Sequence, residues 1–389
     1  MTKALKNKIT ATLILITFIG VFPLDVILPS FPAIGEHFSE PLENISLSLS
    51  IFVFGFSIAQ LLIGLMSDIL GRKRLLLAGL CLAGIGAAGA CLSNTFYSFI
   101  FFRMLQAIGC GSFVLVNALI QDLYDRSERH TIRVLTTTAS GFFISTAPLM
   151  GALLQAIGGW RASFGFFIAI ALCVITVASS WIPKDFPKKG TRQQQKMGIN
   201  IKALLGEVFL KNSALSAIGF SSHFAFIVQS PIIFLDELSL SQREFSVLLL
   251  LYGLAYIAGG MIAKYINHKV AQKLHVTWGL LTMLCAGLLL SLCHAMFPVS
   301  SIGILGPMII CTCGVTILRP AATTAAMDAL HDKPGTASSI HNMIIFSIGA
   351  AISAMMTLAP LAPVYSLSVT ITLLTLAGLT ISNWPSQKK

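Results

Sequence analysis

The sequence predicts an all-α membrane protein of twelve transmembrane helices, and three observations carry that prediction. The chain of 389 residues is 55% hydrophobic and only 11% charged, with a mean hydropathy of +0.83, whereas soluble domains carry about 25% charged residues. Twelve apolar runs, at about 9–31, 45–67, 75–93, 96–121, 131–157, 162–183, 212–236, 245–266, 274–295, 298–324, 335–360 and 362–384, approach or exceed the length that crosses a bilayer, roughly 20 residues of helix. With the N-terminus on the inner side, 22 of the 26 lysines and arginines fall on that side and only Arg161 and Arg243 in outer loops. This is the positive-inside bias of short loops. It places both termini in the cytoplasm, and it accounts for the net charge of +11 without a nucleic-acid partner. A soluble bundle of buried helices would need charged outer faces on most helices, and these are missing.

The first run ends in "VFPLDVILPSFP", which sets Asp25 among apolar residues. It resembles a secretory leader in charge and hydropathy but has no small-x-small cleavage site, so it is read as a retained span. The second and third runs are joined by "GLMSDILGRKRLL" (64–76), a tight loop with Asp68, Gly71, Arg72, Lys73 and Arg74. The third run carries Gly79, Gly84, Gly86 and Gly89, small residues that let helices pack closely in lipid. Arg103 and Asn117 lie in the fourth run; Phe142, Phe143, Pro148 and Gly151 in the fifth. Pro148 removes a backbone hydrogen bond and permits a kink. The sixth run follows Gly159-Trp160-Arg161.

The longest polar interruption, the basic, Gln-rich 184–211, sits almost at the midpoint with six runs on either side. The chain is therefore read as an N-terminal half (1–183), a cytoplasmic linker (184–211) and a C-terminal half (212–389), the plan of a duplicated transporter. Residues 199–210 suit a short amphipathic helix on the inner membrane surface. In the second half, His223 lies mid-run beside Phe220, Phe224, Phe226 and Gln229. Arg319 lies near the inner end of the tenth run, and His341, Asn342 and Phe346 lie in the eleventh. Phe22, Asn117, Phe142, His223, Phe226, Gln229, Asn342 and Phe346 are candidates for lining a central cavity. The eight cysteines show no disulfide or metal-ligand spacing and are read as packing residues.

Of the fifteen acidic residues, eight map to the inner side and six to outer loops; Asp25 alone lies within a span. A charge at a helix centre in lipid costs at least about 2.5–3.5 kcal/mol, so such residues face a cavity or a partner. Counted from the outer ends of their runs, Asp25 and Arg103 both lie about 10 Å deep. The expectation is that they pair and that Asp25 carries a proton, its charge responding to the nearness of Arg103.

The spacing G-x-x-S-D-x-x-G-R-K-R from Gly64 to Arg74 resembles the cytoplasmic loop motif of the major facilitator superfamily. "FFRMLQAIGCGS" (101–112) resembles that family's fourth-helix motif, and "TAPLMGALLQAIGGWRASF" (146–164) its fifth-helix antiporter motif. "PLDVILPSFPAI" (23–34) and "SPIIFLDELSLSQREFSVLL" (230–250) are similar to patterns of the Bcr/CflA drug-resistance branch. The equivalent loop of the second half, "GGMIAKYINHKV" (259–270), departs from the motif, with Lys264 where an acid would stand. The resemblance implies a monomeric proton-coupled exporter of small amphipathic molecules in a bacterial inner membrane. It implies further that Asp68, meeting the start of the eleventh helix at "KPGTASSI", closes the inner side. The rival within transporters is a dedicated exporter of one endogenous metabolite, such as a siderophore or an amino-acid derivative. Remoter rivals are a channel and a non-transporting receptor. No ATP-binding loop and no nucleophile–base constellation is present, so neither ATP-driven transport nor an enzyme is expected, and no cofactor or metal. With Asp25, Arg103 and Arg319 the intramembrane charges, neutral, cationic or zwitterionic substrates are expected.

Overall fold

The computed structural model describes residues 3–183, 206–267, 272–297, 300–329 and 334–384. Among them, twelve helices are long and apolar enough to cross a membrane: Ala4–Phe38, Leu42–Ser67, Arg72–Leu92, Phe96–Leu123, Thr131–Gly158 and Trp160–Trp181, then Glu207–Glu237, Gln242–Ala263, Leu274–Met296, Ser301–Asp328, Ala337–Leu358 and Pro363–Asn383. They are called spans 1 to 12. Six precede and six follow the stretch 184–205, which lies outside the described residues together with most of the expected amphipathic segment. The helix of span 7 already begins at Glu207.

Turns between spans are short because the local chemistry is decisive. Gly71 closes the connection between spans 2 and 3 with φ of 88°, a backbone conformation that favours glycine. Span 5 is extended at its start by a capping box in which Asp125 and Glu128 satisfy the first free backbone N–H groups. Span 4 is interrupted by a 3₁₀ turn at Gly111–Val114.

Span 1 differs from the sequence expectation. Its first helix stops at Asp25; a 3₁₀ turn (Leu28–Ser30) and a second short helix (Phe31–Phe38) follow. Pro29 is the second residue of the 3₁₀ turn, where its missing N–H needs no partner, and Pro32 has the same place in the short helix. The span thus runs to Phe38, thirteen residues past Asp25, rather than ending near 31.

The two halves meet along two pairs of helices. Span 2 packs on span 11, where Ser57 and Ser347 share a hydrogen bond of 2.7 Å and Asn342 Nδ2 donates to Gln60 Oε1 at 3.2 Å. Span 5 packs on span 8, where Ser246 Oγ donates to the Pro148 carbonyl at 3.2 Å. Both seams are lined with small and hydroxyl-bearing residues, the composition that brings helices together where water supplies no driving force.

Candidate functional site

The break in span 1 creates the site. When a helix ends, its last carbonyls lose their intrahelical partners. Pro23 is two residues from the end, and its carbonyl accepts from Arg103 Nη2 of span 4 at 3.3 Å. Arg103 Nη1 donates to Gln106 Oε1 at 2.8 Å, and the guanidinium lies 4.3 Å from the centre of the Phe52 ring. Arg103 is 1% exposed, yet among the described residues its Nε has no partner. A small cavity, with room for about one water, is lined by Pro23, Val26, Arg103, Gln106, Ser163 and Phe164.

Asp25 is 7% exposed, and among the described residues it forms neither an ion pair nor a hydrogen bond. The expected direct pairing with Arg103 is therefore not made. The guanidinium holds the backbone two residues before the carboxylate instead, because the helix end offers it an orphaned carbonyl.

Span 5 completes the enclosure. Gly151 lies so close to span 1 that a Cβ there would overlap the carbonyl oxygen of Val26, the residue after Asp25. Pro148, one turn away, offers its carbonyl to Ser246 of span 8. The two antiporter-motif residues thus touch the Asp25 break on one side and the opposite half on the other.

The Gly64–Arg74 motif divides into separate tasks at the basic end of the bundle. Gly64 makes room for Ser339 of span 11, whose Oγ a Cβ at 64 would overlap. Arg72 Nε pairs with Asp122 at the end of span 4 at 2.7 Å. Lys73, 9% exposed, donates to the Ser179 carbonyl at 2.6 Å and to that of Ile182, satisfying free carbonyls at the end of span 6. Arg74 is exposed. The side chain of Asp68 and residues 330–333 lie outside the described residues, as does the side chain of Lys264. Beside this motif, Lys6 Nζ meets both oxygens of Glu128 at 2.8 Å, tying span 1 to the start of span 5.

The candidate cavity residues fall into three groups. Phe22 stacks on Phe18 with centroids 4.5 Å apart, and Phe226 packs on Tyr252 at 4.7 Å; both are buried. Gln229 is also buried, with its Oε1 unpartnered among the described residues. Asn117 and Phe142 are exposed. His223, Asn342 and Phe346 gather at the junction of the halves. There Phe346 meets Phe220 edge-on at 4.8 Å and Phe56 of span 2 at 5.7 Å, and His223 Nδ1 shares a 2.7 Å hydrogen bond with the Tyr252 hydroxyl. Sequence reasoning missed Tyr252, Tyr256 and Gln60. Two tyrosines four residues apart on one helix face were visible in "LYGLAYI"; their meeting with His223 was not.

Twelve helices long and apolar enough to span a bilayer, six before and six after the central stretch, define a polytopic membrane protein. The chain belongs to the Major Facilitator Superfamily, whose family model matches residues 13–354. It is 26% identical over 361 residues to a chloramphenicol resistance protein of Pseudomonas aeruginosa, covering 89% of this chain and 84% of that one. It is 24% identical over 415 residues to a bicyclomycin resistance protein homolog of Haemophilus influenzae, covering 98% and 100%. The fold is shared with a D-xylose-proton symporter of known structure at a TM-score of 0.76 and 17% identity, over 98% of both chains. The chain is accordingly a transporter and not an enzyme.

Proposed function

We propose that this protein is a proton-coupled exporter of small amphipathic molecules, working by alternating access in a bacterial cytoplasmic membrane, with Asp25 as the proton carrier. The observation that carries the reading is the placement of Asp25: a buried carboxylate without a counter-ion among the described residues, at a helix break whose flanking carbonyls of Pro23 and Val26 meet Arg103 and the Gly151 face of span 5. An ionised carboxylate in such a place is costly, and protonation removes the cost. A neutral Asp25 lets the carrier cross the closed intermediate without substrate, and bound substrate takes the carrier with ionised Asp25 across in the opposite direction. Export follows when proton and substrate exclude one another from the space between the halves.

In this reading the basic end faces the cytoplasm with both termini, as the bias in lysine and arginine argues. The loop motif latches that side: Gly64 admits span 11, and Asp68 caps the start of that span's helix, a favourable interaction of about 0.3–1 kcal/mol when exposed. The working unit is one chain. The resistance named for the two relatives supports drug-like substrates.

The test is transport of chloramphenicol into proteoliposomes with an acidic lumen. Antiport predicts accumulation as protons leave, and its collapse when a protonophore is added. Entry indifferent to the gradient refutes proton coupling.

A further inference from the structure

The C-terminal half holds a third intramembrane charge, Arg319, that the proton site does not use. Arg319 of span 10 lies nine residues before Asp328, the end of its helix, about 14 Å into the span at 1.5 Å per residue. Its guanidinium is partly buried, and among the described residues no carboxylate pairs with it. Nη1 makes one long hydrogen bond, 3.4 Å to the Tyr256 hydroxyl, and the buried Nε makes none.

The surroundings are built to hold the side chain where it is. Gly219 of span 7 gives way to its stem, since a Cβ there would stand 2.8 Å from Arg319 Cγ. The guanidinium carbon lies 5.3 Å from the centre of the Phe220 ring. Phe220 in turn meets Phe346, and Phe346 meets Phe56 of the other half, so the cation stands two rings from the seam between the halves. The same cluster contains His223, whose ring lies 5.4 Å from that of Tyr256.

A fork of N–H donors with an unmatched charge, set against aromatic rings inside a membrane, is suited to a planar anion. We propose that Arg319 and Tyr256 bind the carboxylate of the transported molecule, with Phe220 and Phe346 against its apolar body. The preferred substrates are then aromatic or amphipathic carboxylates, anionic or zwitterionic, over neutral molecules such as chloramphenicol, and the cations allowed by the sequence alone are repelled. This rests on the exporter reading above and narrows its substrate.

The experiment measures thermal shifts of the purified full-length protein in detergent with a panel of acids, each paired with its primary amide: benzoate and benzamide, 1-naphthoate and 1-naphthamide, phenylalanine and phenylalaninamide. At least one acid should stabilise the wild type with an apparent Kd ten-fold or more below that of its amide. Arg319→Gln should erase that preference, Arg319→Lys should keep it with weaker binding, and Tyr256→Phe should weaken the acid a few-fold. If Arg319→Gln does not fold, Arg319→Lys and Tyr256→Phe carry the test. Wild type that never prefers acid to amide, or variants whose preference and affinity match wild type, overturn the proposal. No proton gradient is used, so failure here leaves proton-coupled export standing, and failure of gradient-driven transport leaves carboxylate binding standing.

Discussion

Arg103 holds the carbonyl of Pro23 at 3.3 Å and thereby fixes the end of the helix that presents Asp25. The cation reaches the surroundings of Asp25 through the backbone. Two consequences follow from that arrangement, one for stability and one for transport. Removing the guanidinium leaves a buried carbonyl without a donor, a loss of about 1–3 kcal/mol. It also frees the break to rearrange.

Arg103→Ala is therefore expected to lower the melting temperature of the detergent-purified protein and to reduce gradient-driven transport at least ten-fold. Arg103→Lys keeps the charge but lacks the planar fork that reaches Pro23 and Gln106 together. It should retain more stability than Arg103→Ala while transporting more slowly than wild type. If both variants transport as wild type does, the hold on Pro23 has no part in the cycle.

Gly151 offers a sharper steric test. A methyl group there overlaps the carbonyl of Val26, so Gly151→Ala must push span 5 away from the break beside Asp25. Overpacking of this kind costs about 1–3 kcal/mol. The prediction is a folded protein, with normal amounts in the membrane, whose transport falls several-fold; Gly151→Leu should be worse. Thermal melts alongside proteoliposome transport check both parts, and full activity in Gly151→Leu would show that the close approach is incidental.

Much of this was legible in the sequence, for identifiable reasons. Twelve spans follow from hydropathy, because lipid demands long, internally bonded apolar helices. Asp25 stood out because it was the one acid within a run. The meeting of spans 2 and 11, implied by the loop motif, is present at Gly64 and Ser339. What could not be read is rotational register between distant helices. Each residue turns a helix face by about 100°, so the sequence set Asp25 and Arg103 at similar depth but could not show that Arg103 would take Pro23 instead. The helix end that redirected it depends on prolines at 29 and 32 acting together. Tyr252 and Tyr256 were hidden for the same reason: aromatic residues on an apolar helix look like packing until a histidine from another span is seen beside them.

The contact between spans 1 and 5 at the basic end makes a pH prediction. The Lys6 ammonium, bonded to both oxygens of Glu128, holds that carboxyl below its ordinary value of 4.5. A group whose pKa is depressed by its contact supports the folded arrangement above its ordinary value and stops doing so as the pH falls through the depressed one. Glu128→Gln should therefore melt slightly earlier than wild type at pH 7. That difference should persist to about pH 5 and shrink below 4.5. Because the pair is exposed, salt should weaken it. A difference that grows on acidification contradicts the contact.

Whether Asp25 carries the proton is decided by pH-gradient-driven transport in proteoliposomes by Asp25→Asn. Asparagine resembles the protonated acid in shape and neutrality, so the variant should fold and reach the membrane normally. It should bind substrate, and exchange it between the two sides when no gradient is required. It should not accumulate substrate against a concentration difference when the lumen is acidic, and Asp25→Glu should recover part of that accumulation with an altered pH dependence. Uphill accumulation by Asp25→Asn at the wild-type level would contradict the account and pass the proton to another group, His223 beside Tyr252 being the next to test.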